Sequence, residues 1–171
     1  IILGTVVGAI GFPVILDMWR HKRRTARWSL TTKISLITYA TLLVLGFLAI
    51  GLFEWGNSFQ DLSISERINA ALLQSTTARS SGLATVPIHE MSQSTWFILD
   101  ALMFVGGGSA SAAGGIKVTT LAVLVLAIIA EARGDRDTEA FGKRLPPDVL
   151  RLAIAATFLG ATLVGLGTLA L

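Results

Sequence analysis

Two short stretches carry the residue types that could do chemistry. The first is STTARSSGL, Ser75–Leu83, and the second is GGGSASAAGGIK, Gly106–Lys117. In the first, small and hydroxyl-bearing residues leave the backbone uncrowded, and Gly82 can reach backbone angles that L-residues avoid. A row of backbone carbonyls held at membrane depth can replace the hydration shell of a cation. Such backbone is tolerated only where it lines a polar cavity or is buried in protein. The alternative is an ordinary polar surface loop. The second stretch is close in composition to a phosphate loop, but that motif needs a glycine directly before the lysine and a serine or threonine directly after it. Ile116 and Val118 occupy those places. Two readings then compete. Glycine, alanine and serine form close-packed faces between membrane helices, or the glycines permit an unwound segment in which Ser109 and Ser111 satisfy freed backbone groups. Lys117 fits the packing face only if its ammonium snorkels to the cytoplasm. Paired carboxylates, metal-spaced histidines and a nucleophile triad are all missing from the pattern, so the sequence does not read as an enzyme. His21 and His89 read as solvated loop residues, and His89 and Glu90 could colour an external mouth.

The elements that must position these stretches follow from composition. Of the 171 residues 53% are hydrophobic and only 15% charged, where soluble domains carry about 25% charged residues. The mean hydropathy is +0.69, and the apolar residues fall in blocks near the roughly 20 needed to cross a bilayer. The reading is an integral, multi-pass membrane protein. With no cysteine, disulfides and thiolate metal sites are excluded. The apolar first and last residues read as a piece cut within helices, and the first block lacks the pattern of a signal peptide. Arg20, Lys22, Arg23, Arg24, Arg27 and Lys33 form one basic cluster. Arg133, Arg136, Lys143, Arg144 and Arg151 form another, whereas Glu54–Thr95 holds only Arg67 and Arg79. By the positive-inside rule both clusters are cytoplasmic and the middle stretch is external. The clusters are topology determinants rather than a nucleic-acid surface.

Ile1–Leu16 reads as the end of a membrane helix arriving at the cytoplasm, kinked by Pro13 and carrying a Gly4/Gly8 pair that permits close contact. Ile34–Trp55 is the clearest span, with Tyr39 and Trp55 as interface residues. Next comes a helix of about ten residues, capped by Ser63 or Ser65 with Glu66 in its first turn. It stops where Ser75–Gly82 begins. The span before it ends outside and the apolar run after it starts outside, so this segment dips and returns. Trp96–Ala130 descends; its 35 residues would reach about 50 Å as straight helix, more than the roughly 30 Å hydrocarbon core. A break at the glycine stretch removes the excess. Asp100 in its outer part is either a functional acid or the partner of a polar group on a neighbouring helix. Leu152–Leu171 starts another span outward, with Pro147 in its first turn and Asp148 favourable there. The units are therefore 1–33, a helix end and basic loop; 34–133, a complete helix–pore loop–helix repeat; and 134–171, a cytoplasmic loop and the first helix of a next repeat.

STTARSSGLAT, followed by an apolar run and FVGGGSASAAGGIKVTT, resembles the Trk/Ktr/HKT superfamily of potassium transporters. There a filter loop T-x-R-S/T-x-G precedes a helix carrying G-G-S/G-x-x-S-x-A-G-G-I-K-x-S/T-T. The resemblance covers essentially the whole chain and is nearest to the third of the family's four repeats. It implies an all-α membrane fold with helix–pore loop–helix repeats around one pore, resembling a K⁺ channel. It places Thr77, Ala78, Arg79, Ser80, Ser81 and Gly82 in the filter loop, with K⁺ at the backbone carbonyls of Ser80, Ser81 and Gly82. Where relatives often carry Thr-Ala-Gly-Phe, this chain has Ser80-Ser81-Gly82-Leu83, which alters packing behind the filter. Arg79 should point away from a cation path, toward supporting groups. Gly106, Gly107, Gly108, Ser109, Ser111, Gly114, Gly115 and Lys117 would form a gate, an intramembrane loop beneath the filter. The resemblance further implies K⁺ as cargo, Na⁺ or H⁺ coupling as an option, and no covalent cofactor. It also implies a homodimer of the full-length subunit in the lipid of the cytoplasmic (inner) membrane, working with a cytosolic nucleotide-binding regulatory subunit. The rival is a secondary transporter with a broken helix and re-entrant hairpin moving another small solute.

Overall fold

A computed structural model of the chain describes residues 2–21, 27–79, 86–111, 113–134 and 138–170. Seven α-helices order the described residues: α1 (Ile2–Ile10), α2 (Phe12–Arg20), α3 (Leu30–Glu54), α4 (Ile64–Thr77), α5 (Gln93–Phe104), α6 (Val118–Arg133) and α7 (Pro147–Leu169). A two-stranded antiparallel hairpin, β1 (Glu139–Ala140) and β2 (Lys143–Arg144), lies between α6 and α7. Its turn is Phe141-Gly142, both with positive φ, as tight hairpin turns require.

Only α3, with 25 residues, and α7, with 23, are each long and apolar enough to cross a membrane among the described residues. The α1–α2 pair passes the same test together but is bent by 89°. The bend falls at Gly11, not at the expected Pro13. Gly11 has φ 94 and Pro13 sits in the first turn of α2, where its missing N–H costs nothing. The new helix is latched to α3: the Asp17 carboxylate accepts hydrogen bonds from Ser29 N at 2.8 Å and Thr32 Oγ1 at 2.6 Å. Ser29 caps α3, so the span begins at Leu30 and takes in Lys33, which the sequence assigns to the loop.

α3 is the central column, touching α4, α5 and α6. Three apolar clusters are stacked along it. Near the start of α3, Ile34 packs with Ala122 and Ala140. Further along, Tyr39 packs with Ala9 and Val118. Toward its end, Ile50 joins Phe59, Ala71, Leu99 and Leu102. Tyr39 is therefore a core residue, 4% exposed, rather than an interface residue. Trp55 does lie exposed, with the Arg67 guanidinium 5.3 Å from its ring centroid. A Cβ on Gly4 or Gly8 would meet nothing within 4 Å, so the described residues supply no close packing at that pair.

The descending span is broken as its length demands. α5 has 12 residues and α6 has 16, about 18 and 24 Å at the helical rise. α7 begins with Pro146 at the N-cap, Pro147 in the first turn and Asp148 beside it, as the sequence indicates.

Candidate functional site

The dipping helix α4 is built from its start. The Glu66 carboxylate accepts from the Ser63 backbone N–H at 2.9 Å and its hydroxyl at 2.7 Å. These two bonds hold Glu66 below the usual glutamate pKa. Ser63, not Ser65, is thus the cap. The helix runs 14 residues, about 21 Å, too short to cross. It continues through Ser75, Thr76 and Thr77, where the sequence suggests a loop. The hydroxyls are accommodated within it: Thr76 Oγ1 donates to Leu72 O at 2.7 Å and Thr77 Oγ1 to Leu73 O at 2.9 Å, bonding back along the helix. Thr77 is therefore helical and Ala78 is the C-cap. Ser75 Oγ instead donates to Leu43 O of α3 at 3.0 Å. That contact exists because Gly46 faces it; a Cβ there would lie 2.6 Å from Ser75 Oγ and 2.9 Å from Leu102 Cδ1. Ser80, Ser81 and Gly82 lie outside the described residues.

Arg79 follows the C-cap and is 4% exposed. Its Nη1 donates to Tyr39 O at 3.4 Å, and the guanidinium carbon stands 4.9 Å from the Tyr39 ring centroid. Among the described residues its Nε and Nη2, like the Tyr39 hydroxyl, have no hydrogen-bond partner. The side chain thus turns onto Tyr39 of α3.

The glycine stretch is an unwound loop with a closed neck. Val105 and Ile116 form a parallel bridge. Gly106 N donates to Ile116 O at 2.8 Å, Ile116 N to Phe104 O at 2.9 Å and Val118 N to Gly107 O at 3.0 Å. Most of these glycines are needed for close approach rather than for unusual angles. A Cβ on Gly106 would fall 1.5 Å from Gly114 O, on Gly107 2.6 Å from Ala9 O, and on Gly108 2.1 Å from Ile10 O. Gly115 has φ 71, which glycine adopts freely. Gly114 has open space around it. Ser111 Oγ accepts from Ala113 N at 3.3 Å, the backbone role expected of it. Ser109 Oγ pairs instead with Thr119 Oγ1 at 3.2 Å. Lys117 does not snorkel: its Nζ donates to Ala113 O at 2.9 Å, tying the start of α6 to the loop. Asp100 is exposed and lines, with Lys117, Thr120 and α7 residues, a cleft of about 620 Å³. His89 and Glu90 are exposed, with Nε2 and Oε1 3.8 Å apart.

Residues 1–164 match the family described as TrkH, cation transport protein. The chain belongs to the TrkH cation transport family. It is 38% identical over 169 residues to Ktr system potassium uptake protein D of Bacillus subtilis, covering 97% of this chain and 38% of that one. It is 30% identical over 159 residues to potassium/sodium uptake protein NtpJ of Enterococcus hirae, covering 92% and 35%. The crystal structure of the potassium transporter TrkH from Vibrio parahaemolyticus superposes with a TM-score of 0.75 at 18% identity, over 90% of this chain and 34% of that one. The fold is thus an all-α membrane fold of helix–pore loop–helix type. The chain spans little more than a third of the length of the curated relatives it matches.

Sequence reasoning passed over Glu54. It is fully buried at the end of α3. One oxygen accepts from Ser92 N at 2.9 Å, Ser92 Oγ at 2.8 Å and Thr95 Oγ1; the other accepts from Asn57 Nδ2 at 2.9 Å and Ser58 N at 3.4 Å. The carboxylate also faces the positive N-terminus of α5. An acid closing an otherwise uncharged run was the available signal.

Proposed function

We propose that this chain is part of the pore-forming subunit of a potassium uptake system, with K⁺ as the cargo. Ser80, Ser81 and Gly82 carry the filter carbonyls, and Gly106–Lys117 is the gate beneath them. One observation carries the reading. Tyr39 stands between the two stretches: Arg79, directly before the filter residues, stacks on its ring, and Val105 and Val118, at the base of the loop, pack with it and with Ala9 of α1 in one cluster. A filter-type loop and a broken helix share one support, which suits a conduction path with a constriction below its selective part. The printed functions of the relatives, potassium uptake and potassium/sodium uptake, supply the ion class. Movement is down the electrochemical gradient, with Na⁺ or H⁺ coupling as an added possibility in the whole protein. The full-length subunit works as a homodimer in the cytoplasmic membrane, with a nucleotide-binding cytosolic subunit regulating it.

The test uses the full-length protein in cells deficient in K⁺ uptake, with Rb⁺ influx as the readout. The expected result is Rb⁺ uptake that falls in K⁺ over Na⁺ preference when Gly82 becomes Ser. Removing residues 109–113, inside the neck, should raise flux. Normal membrane insertion without Rb⁺ transport would refute the reading, and a shortened loop with unchanged flux would reduce the glycine stretch to packing.

A further inference from the structure

We propose that Gly11 is a positioning residue for the intramembrane loop: the break between α1 and α2 is the seat on which Gly107–Ser109 rests. The inference builds on the gate reading above and assigns a role to a residue of the helix pair that precedes this repeat.

The contact is backbone against backbone. Gly108 N donates to Ala9 O at 2.7 Å. The last carbonyls of a helix have no partner within it, and here the loop provides one from a different part of the chain. The two segments approach so closely that neither side has room for a side chain. A Cβ on Gly11 would stand 2.3 Å from Ser109 O; from the loop side, a Cβ on Gly107 would stand 2.6 Å from Ala9 O and one on Gly108 2.1 Å from Ile10 O. All three obstructing atoms are backbone oxygens, so no rotamer change relieves the overlap. Gly11 also holds φ 94 with ψ 141, a conformation that side-chain-bearing residues avoid. The same glycine that turns the chain by 89° therefore presents the flat surface that receives the loop. Ala9, whose carbonyl takes the bond, is fully buried beside Tyr39 and Val118. The seat is fixed to the support shared by filter and loop. Beyond it α2 leads through Asp17 to Ser29 and Thr32 at the start of α3, so the angle of α2 and the position of the loop are set together.

The experiment compares Gly11→Ala, Gly108→Ala, the double variant and the loop deletion 109–113 in the full-length protein, reading Rb⁺ influx and K⁺ over Na⁺ preference. Each single substitution should unseat the loop and raise influx by about threefold or more while leaving ion preference unchanged, since only the seated population shifts. The double variant should give no more than the larger single effect, because both changes act on one contact. Amide exchange at Gly108 in the unsubstituted protein reads the same contact without mutation, and should be slow. If the deletion raises influx while both single variants match the parent, the Gly11 inference is overturned and the gate stands. If the deletion itself has no effect, the gate reading falls first. If Gly11→Ala does not assemble, Gly108→Ala and the exchange rate decide: unchanged influx with fast exchange rejects the seat.

Discussion

Removing the Glu54 carboxylate should loosen the outer end of the repeat by a large and specific amount. Glu54 has no exposed surface, and its two oxygens collect donors from the α3 end, the following turn and the first turn of α5. In Glu54→Ala, Ser92 N–H loses its partner, while the Ser92 and Thr95 hydroxyls keep each other and Ser92 Oγ keeps the Thr95 N–H. Each buried donor left unsatisfied costs about 1–3 kcal/mol. The individual losses share atoms and do not add, and every partner of Glu54 is a neutral donor, so about 1–3 kcal/mol is expected in total. At about 2–4 °C per kcal/mol, the melting temperature falls by about 2–12 °C. Glu54→Gln should do roughly half the damage: one oxygen still serves Ser92 and Thr95, while the new NH₂ group confronts the Asn57 amide. The assay is thermal unfolding of the purified full-length protein in detergent, repeated with Ser92→Ala and the Glu54→Ala/Ser92→Ala pair. The pair should be clearly less than additive. A parental melting temperature in Glu54→Ala, or full additivity with Ser92→Ala, would refute the hub.

Gly46→Ala should destabilise by about 1–3 kcal/mol through overpacking against Ser75 and Leu102, whereas Gly51→Ala, whose Cβ meets only Ala71 Cβ at 3.9 Å, should be neutral or stabilising by up to about 1 kcal/mol from helix propensity; thermal unfolding of both variants checks the contrast. Lys117→Met removes the bond to Ala113 O, worth about 1.5 kcal/mol as a charge-assisted contact, and should raise Rb⁺ influx by up to about tenfold, an effect that Lys117→Arg largely avoids. For the α4 cap, Glu66 is held below its ordinary pKa, so its contribution is fully present above the usual glutamate range and is lost as pH falls through the lowered value. Glu66→Gln should flatten that acid-side decline in a pH series of melting temperatures.

The parts of this fold that were legible in the sequence are those with a one-dimensional cause. Trp96–Ala130 was too long for a bilayer, and the break fell where glycines cluster. Ser63 and Glu66 stand at capping spacing, and Pro147 and Asp148 mark the start of α7. What escaped was decided by partners distant in sequence. Tyr39 looked like a membrane-interface aromatic until Arg79, forty positions on, was found stacked on it. The sequence points to Pro13 and gives no sign of Gly11, whose reason for being glycine is Ser109 O, nearly a hundred residues away. Thr76 and Thr77 suggest the end of a helix, yet the helix runs through them with their hydroxyls bonded to carbonyls one turn back.

The closed neck at Val105 and Ile116 has a consequence for how such proteins diversify. Three backbone hydrogen bonds pin the two ends of the loop before it leaves the helical span. The lever arms on either side, α5 and α6, are thus indifferent to how many residues the loop contains. Insertions or losses inside the neck change the closure entropy only logarithmically, by about 0.6 kcal/mol per doubling. Beyond the close-packed Gly106–Gly108, the loop is accordingly an exchangeable cassette: its length can drift among related pores without re-registering the helices that carry it.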